Sequence, residues 1–203
     1  PFICRVNCLP LLRGIKELIE RKVRLLAVEA GTRPEGDPDY NITRDIPAAR
    51  KLFAEWPTPI VVVGPEIGRA LKYPASSIEN DFHWTDRHPV ADAYRAYKPM
   101  PHDAPASGMA AALYAARPEA GYFHVSEPGH ISILDGGRTE FTPFADGQHR
   151  YLTVKPDQRE RVIDAYRKAV SALPAEEETS DYLEEIVKEV IDREIKEKAL
   201  PKQ

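Results

Sequence analysis

The amino-acid sequence predicts an α/β protein of three layers. A mostly parallel sheet lies between flanking helices, carries a small antiparallel hairpin subsheet, and is followed by an extra C-terminal helix. Two apolar runs, at 23–28 and 59–64, have the length and β-branching of buried parallel strands. Each run is followed by a helical pattern, and strand-helix-strand order implies right-handed crossovers. Short alternating segments after Pro118, separated by Asp-Gly dipeptides, predict the hairpins.

The N-terminal half is predicted to alternate strands and helices. Apolar residues three or four apart indicate the helices, and Asp45 is a candidate N-cap for the helix whose first turn contains Pro47. The predicted elements are an extended segment through Ile3, Val6 and Cys8, a helix from Pro10, a strand at 23–28, a loop at 31–41, a helix at 47–56, a strand at 59–64 and a helix after Gly64.

The C-terminal half begins with two further helices and then changes character. Asp135-Gly136-Gly137 and Asp146-Gly147 are typical of hairpin turns between alternating strands. His124, His130 and His149 fall in these strands and are predicted to be surface or half-buried residues. The predicted elements are helices at 90–97, 104–117 and 156–173, and strands at 122–125, 130–134, 139–144 and 149–154.

The last thirty residues differ in composition from the rest of the chain. We predict a domain at 1–173, then an acidic linker and an amphipathic helix at 174–203. That helix has one apolar stripe and several acid-to-base pairs four residues apart, which stabilise a helix in isolation. Such a stripe packs either on the domain or on a second copy of the chain, so a homo-oligomer formed through this helix is one alternative.

Composition excludes several classes of protein. The 203 residues are 42% hydrophobic and 30% charged, which is typical of a soluble globular domain. A net charge of −4 gives no electrostatic reason to expect a nucleic-acid partner. No apolar run approaches the roughly 20 residues of a membrane span, and no signal peptide is recognised. We therefore expect no membrane partner, and the two cysteines, Cys4 and Cys8, fit reduced thiols in a cytoplasmic protein.

Common catalytic motifs are missing, and the histidines give only candidates. The sequence contains no glycine-rich dinucleotide or phosphate-binding loop and no nucleophile elbow. His83 and His88 have no third metal ligand at a useful spacing, so a solvated loop is the plainer interpretation. His102 and Asp103 are candidate catalytic residues, although capping of the following helix by Asp103 is the simpler role.

The most informative segment is the loop and helix start at 36–50. It leaves a predicted buried strand and places Asp39, Tyr40 and Asn41 beyond the carboxyl end of that strand. Open α/β sheets bind ligands at this edge, and carboxylate and amide groups suit the hydroxyls of a sugar. The same residues are equally compatible with loop-capping chemistry.

Asp39-Tyr40-Asn41-Ile42, followed by Asp45-Ile46-Pro47-Ala48-Ala49, resembles the E-F-N…D-P-E-A-A segment of the inosine/uridine-preferring nucleoside hydrolase family. The flanking strands and the later segments at 113–123 and 137–154 are also similar, so the resemblance covers about residues 12–173, the C-terminal portion of the family's chain. It implies hydrolysis of the N-glycosidic bond of ribonucleosides, with Asp39, Tyr40 and Asn41 at the substrate. It also implies a Ca²⁺ ion, faced by the main-chain carbonyl of Val28.

The sequence departs from that family at the metal site. The N-terminal aspartate-rich motif, which supplies most metal ligands and the base, has no counterpart. The M-G-G turn is Glu29-Ala30-Gly31, and Gly108 stands at the position of a late metal-binding aspartate. His102-Asp103 resembles the family's His-Asp pair but lies about five residues too early. Because Ca²⁺ takes about six to eight oxygen ligands, these departures predict loss of the ion.

Three hypotheses follow from these patterns. The first is a nucleoside hydrolase-like protein that binds a nucleoside or ribose and is impaired or inactive alone. The second is a non-catalytic module, truncated or engineered, that folds or self-associates through its C-terminal helix. The third is an unrelated α/β protein that matches the motif by chance.

Overall fold

A seven-stranded sheet forms the centre of the computed structural model, which describes residues 2–4, 9–32 and 37–173. Its strand order is β1-β2-β3-β9-β7-β8, with β6 also paired to β9, and β4 and β5 form a separate antiparallel pair. The strands are β1 (Phe2–Cys4), β2 (Leu26–Glu29), β3 (Ile60–Val63), β4 (Lys72–Tyr73), β5 (Ala104–Pro105), β6 (His124–Val125), β7 (Gly129–Ile133), β8 (Thr139–Pro143) and β9 (His149–Thr153).

Helices cover both faces of this sheet. Helix α3 begins where the sequence predicts, because Oδ1 of Asp45 accepts a hydrogen bond from the Ala48 backbone N–H at 2.9 Å and Pro47 occupies the first turn. The helices are α1 (Leu9–Lys22), α2 (Tyr40–Thr43), α3 (Ile46–Glu55), α4 (Pro65–Ala70), α5 (Ala75–Asn80), α6 (Pro89–Tyr97), α7 (Ser107–Ala116) and α8 (Arg159–Val170).

Two separate apolar cores show that the protein has three layers. Successive residues of a strand point to opposite faces, so Leu26 and Ala27 belong to different cores. Residues of α1 and α3 pack on the Leu26 side, whereas residues of α4, α7 and α8 pack on the Ala27 side. The α/β class and the mostly parallel main sheet are therefore as predicted.

Strands β1, β2, β3 and β9 run parallel, and their carboxyl ends consequently meet at one edge of the sheet. The chain leaves β2 towards α2 at this edge, and it leaves β3 directly into α4. Loops that follow neighbouring parallel strands are brought together here, which is the ordinary place for a ligand in such sheets.

The antiparallel strands differ from the prediction in one pairing. The hairpin around Asp135-Gly136-Gly137 joins β7 to β8 as predicted, with Ile133 opposite Thr139. The chain at Asp146-Gly147 forms no hairpin, because β9 lies between β3 and β7 and not beside β8. Both faces of β9 are covered, since Leu152 packs in one core and Tyr151 against the other, and this burial favours the inner position.

Some predicted elements change length or lie elsewhere. Ala104 and Pro105 pair with β4, so α7 begins at Ser107 and not at Ala104. Val6, Cys8 and the predicted linker and helix at 174–203 lie outside the described residues, and the proposed domain division stays a prediction. Among the described helices, none combines the length and the apolar character that crossing a membrane requires.

Candidate functional site

A polar cavity of about 450 Å³ opens at the carboxyl edge of β2 and β3. The end of β2 contributes Glu29, the loop before α2 contributes Asp37 and Asp39, and α4 contributes Arg69. The three residues that the sequence places at a ligand, Asp39, Tyr40 and Asn41, all line this cavity. The structure therefore brings the predicted substrate-binding residues together, while their role at a ligand stays a prediction.

The Asp39 side chain stabilises the loop between β2 and α2 through hydrogen bonds with the backbone. Its side chain is the N-cap of α2, with Oδ1 accepting a hydrogen bond from the Ile42 backbone N–H at 3.0 Å. The backbone N–H groups of Asn41 and Gly31 also donate to its carboxylate. Burial raises the pKa of Asp39 above 3.8, and the three backbone hydrogen bonds oppose that rise. The carboxylate thereby ties both ends of the β2–α2 loop.

Asn41 attaches α2 to the end of β2. Its Nδ2 donates a hydrogen bond to the backbone carbonyl of Glu29 at 3.2 Å. Within the described residues no group donates a hydrogen bond to its Oδ1, and the side chain lines the polar cavity. The carboxamide is therefore held at one end and available to a ligand at the other.

Tyr40 lies at the rim and not at the floor of the cavity. The residue is 65% exposed, and the Arg44 guanidinium stands 4.7 Å from its ring centroid. Nη2 of Arg44 donates a hydrogen bond to the Tyr40 hydroxyl at 2.7 Å. This pair forms a flat, exposed surface at the rim of the cavity.

A second, more apolar cavity of about 410 Å³ adjoins the first. Its walls include Tyr73, Tyr94, Met109 and the start of α7 at Gly108, and Glu29 lines both cavities. Sequence reasoning treated Glu29 only as a departure from a glycine-rich turn. Its position was the available signal, because Glu29 is the first charged residue after the buried run at 26–28.

His102 and Asp103 each contact a specific structural partner. Oδ1 of Asp103 accepts a hydrogen bond from the Ala75 backbone N–H at 2.9 Å, so it caps α5 and not the helix that follows it in sequence. The His102 ring stacks on Tyr94, with centroids 4.5 Å apart. Neither residue is among those that line the two cavities, and a catalytic role for them remains a prediction.

The residues present do not fit a calcium ion. Within residues 16–32 and 37–173, no three His, Cys, Asp or Glu side chains converge on one point. Val28 is fully buried in β2, and its carbonyl as a metal ligand stays a prediction. His83 and His88 contact Asn80 and Phe82, respectively, rather than a shared point. A hard cation that takes about six to eight oxygens finds no such set among them.

Comparison with known proteins identifies the fold. No protein-family model and no curated protein matches the chain. Solved structures do match: an inosine-guanosine nucleoside hydrolase gives a TM-score of 0.63 at 14% identity, over 84% of this chain and 60% of that one. The chain has a nucleoside hydrolase-like fold.

Two further structures agree with this fold. The inosine-uridine preferring nucleoside hydrolase from Bacillus anthracis gives a TM-score of 0.56 at 19% identity, over 83% of this chain and 59% of that one. The purine-preferring ribonucleoside hydrolase from Gardnerella vaginalis gives 0.61 at 15% identity, over 84% and 59%. This chain thus spans about three fifths of the length of the hydrolases that it matches. The resemblance predicted from the sequence is confirmed at the level of the fold.

Proposed function

We propose that this nucleoside hydrolase-like protein binds ribonucleosides in the cleft at the carboxyl edge of β2 and β3, and that its hydrolysis of the N-glycosidic bond is impaired in the chain by itself. The observation that carries the proposal is the loop Asp39–Asn41, which the fold delivers to this edge with the Asn41 carboxamide facing the polar cavity. The matched structures include an inosine-guanosine nucleoside hydrolase and a purine-preferring ribonucleoside hydrolase, which supports the choice of ligand.

The two adjoining cavities of the cleft suit different parts of a nucleoside, the sugar and the base. Ribose hydroxyls suit the polar cavity, where Asn41 accepts and donates hydrogen bonds while Asp39 holds the loop in shape. A nucleobase is flat and largely apolar on its faces, and it suits the adjoining cavity beside Tyr73 and Tyr94. Tyr40 closes the rim over the sugar.

We expect impaired hydrolysis because the described residues provide too few ligands for a metal ion. The resemblance implies a calcium-bound water as nucleophile, and the described residues offer no group of carboxylates to hold that ion. The residues of this chain bind and orient the nucleoside, and they leave its glycosidic bond largely uncleaved.

Binding of inosine, adenosine and uridine by isothermal titration calorimetry tests the proposal. Asn41→Ala should weaken binding about tenfold, because it removes about one net hydrogen bond. Asn80→Ala is the matched control: Asn80 also donates from Nδ2 to a backbone carbonyl, that of Ser76, but it lies at an exposed position of α5. Absence of binding by the wild type, or equal affinity in the Asn41 variant, would contradict the proposal.

The second claim of the proposal, impaired hydrolysis, is tested separately. The rate of p-nitrophenyl riboside hydrolysis is measured once with calcium and once with a chelator. We expect nitrophenolate release at background in both. Calcium-dependent release would refute the impairment and would require a metal site assembled from other residues, while the binding result would stand on its own.

A further inference from the structure

Three carboxylates line the polar cavity near Asn41, and they differ in exposure and in what already binds them. Asp37 is exposed, so its carboxylate remains hydrated. Asp39 accepts three backbone hydrogen bonds and is 7% exposed. Glu29 is only half-buried, and within the described part of the chain no side chain or backbone group donates a hydrogen bond or an ion pair to its carboxylate. Of the two carboxylates that are at least partly buried, Glu29 therefore has the larger acceptor capacity left for a ligand.

The backbone fixes the position of Glu29. It is the last residue of β2, where it lies opposite Val63 in the ladder with β3. Its carbonyl accepts the hydrogen bond from Asn41, and the next residue, Ala30, donates to the Val63 carbonyl at 3.2 Å. A side chain that extends from so constrained a position is pre-organised, which lowers the entropic cost of using it.

Gly108 leaves the space into which this carboxylate projects. A Cβ built on Gly108 would lie 3.5 Å from Oε2 of Glu29 and would meet no other atom within 4 Å. That Cβ alone would be tolerated, but any longer side chain at this position would compete with the carboxylate for the same space. Glu29 is consequently directed over the first turn of α7, between the polar and the apolar cavity.

We propose that Glu29 is the carboxylate of the cleft that, together with Asn41, accepts hydrogen bonds from the ribose hydroxyls and thereby selects ribonucleosides over their deoxy counterparts. This inference rests on the proposed function, since it concerns the same cleft. A carboxylate that loses water without gaining a hydroxyl donor is costly, so a ligand that lacks the hydroxyl is rejected. Asp39, whose carboxylate already accepts three backbone hydrogen bonds, is a positioning residue.

A purely structural role for Glu29 makes a different prediction. A carboxylate beside the first turn of α7 also stabilises the positive end of that helix, whose N-cap residue, Ala106, provides no side-chain hydrogen bond. Removing such a charge lowers thermal stability but leaves the ratio of ribonucleoside to deoxynucleoside affinity unchanged. The ratio is therefore the decisive measurement.

The test measures Kd for inosine, 2′-deoxyinosine and 3′-deoxyinosine on the full chain. Glu29→Gln should weaken inosine binding about 10- to 100-fold and bring the inosine to deoxyinosine ratio towards one. Glu29→Asp keeps the charge beside α7 but withdraws it by one methylene, and it should lower the same ratio. Asp39→Asn should retain the ratio, and Glu55→Gln, on exposed α3 surface, should change nothing.

The outcomes separate the two claims. If wild-type protein binds no nucleoside, the proposed function fails and this inference fails with it. If the wild type binds and Asn41→Ala weakens binding, but both Glu29 variants keep the wild-type ratio, then only the role of Glu29 is overturned. Should Glu29→Gln fail to fold, as judged by circular dichroism, the Glu29→Asp variant decides the question by itself.

Discussion

We expect acidification to destabilise this protein through one buried side chain, that of His149. The sequence pattern placed His149 at the surface or half-buried, but it is 6% exposed because β9 is an inner strand. Its Nδ1 accepts a hydrogen bond from the Ile131 backbone N–H at 2.9 Å, and the Phe53 backbone carbonyl accepts one from the imidazole. The ring is therefore neutral, with its proton on Nε2. Protonation of Nδ1 would break the bond to Ile131.

The size of the effect follows from the change in pKa. Burial, with a smaller contribution from His130, lowers the pKa of His149 from 6.5 to about 4. Between these values the unfolded chain binds the proton and the folded chain does not, so stability is complete above pH 6.5 and is lost as the pH falls towards 4. The full difference is about 3 kcal/mol, and about 2 kcal/mol of it is lost between pH 7 and pH 5.

Urea unfolding at pH 7 and pH 5 measures this loss. His149→Asn keeps an acceptor near the Nδ1 position but does not titrate, so its free energy of unfolding should fall about 2 kcal/mol less than that of the wild type. His130→Asn is the matched control: His130 is exposed and stacks on His149 with ring centroids 5.0 Å apart. It should keep most of the wild-type pH dependence. Parallel pH dependence in the wild type and His149→Asn would refute the reasoning.

Two further predictions concern the framework around the cleft, and the same unfolding assay tests both. Gly68→Ala should destabilise the protein by about 1–3 kcal/mol, because its Cβ would overlap Ser107 Oγ and lie 2.8 Å from the Ser107 backbone nitrogen, so α4 and α7 must separate. Gly108→Ala, whose Cβ contacts only Glu29, is its control, and equal stability of the two variants would contradict this packing argument. Asp39→Ala should cost about 1–2 kcal/mol, because the α2 cap is lost; an unchanged urea midpoint would show that the cap contributes nothing.

Local patterns predicted most of the secondary structure because their causes lie within a few residues. Asp45 caps α3 as expected, and the cap joins atoms only three residues apart. The run at 59–64 forms β3 at Ile60–Val63, where all four side chains are buried. Propensity, capping and apolar periodicity act over one or two turns, so a sequence shows them directly.

Contacts between residues far apart in the sequence were harder to predict, because no local sequence pattern indicates them. Asp103 was expected to cap the helix after it, yet it caps α5 at Ala75, which is 28 residues away in sequence. The turn at Asp146-Gly147 has hairpin composition, but β9 is held by β3 and β7 because its faces are buried. Burial in two cores outweighs the preference of a turn dipeptide.

The candidate site was partly predictable for the same reasons. A polar loop after a buried strand predicts residues at the sheet's carboxyl edge, and Asp39 and Asn41 lie there. The sequence could not distinguish capping from ligand binding for Asp39, and the three backbone donors on its carboxylate show the capping role. The importance of Glu29 became clear only from the space opposite it, which Gly108 leaves open 79 residues later in the chain.

Binding and bond cleavage make different demands on a chain of this fold. Binding requires a few donors and acceptors fixed at one sheet edge, and the end of β2 with α2 provides them through Glu29 and Asn41. Cleavage assisted by a hard cation requires about six oxygens at a single point, and the described residues bring no three ligating side chains together. Affinity and turnover are therefore separable properties here. Variants of Glu29 and Asn41 should change Kd whether or not any hydrolysis is detected, so affinity is the property that tests the cleft.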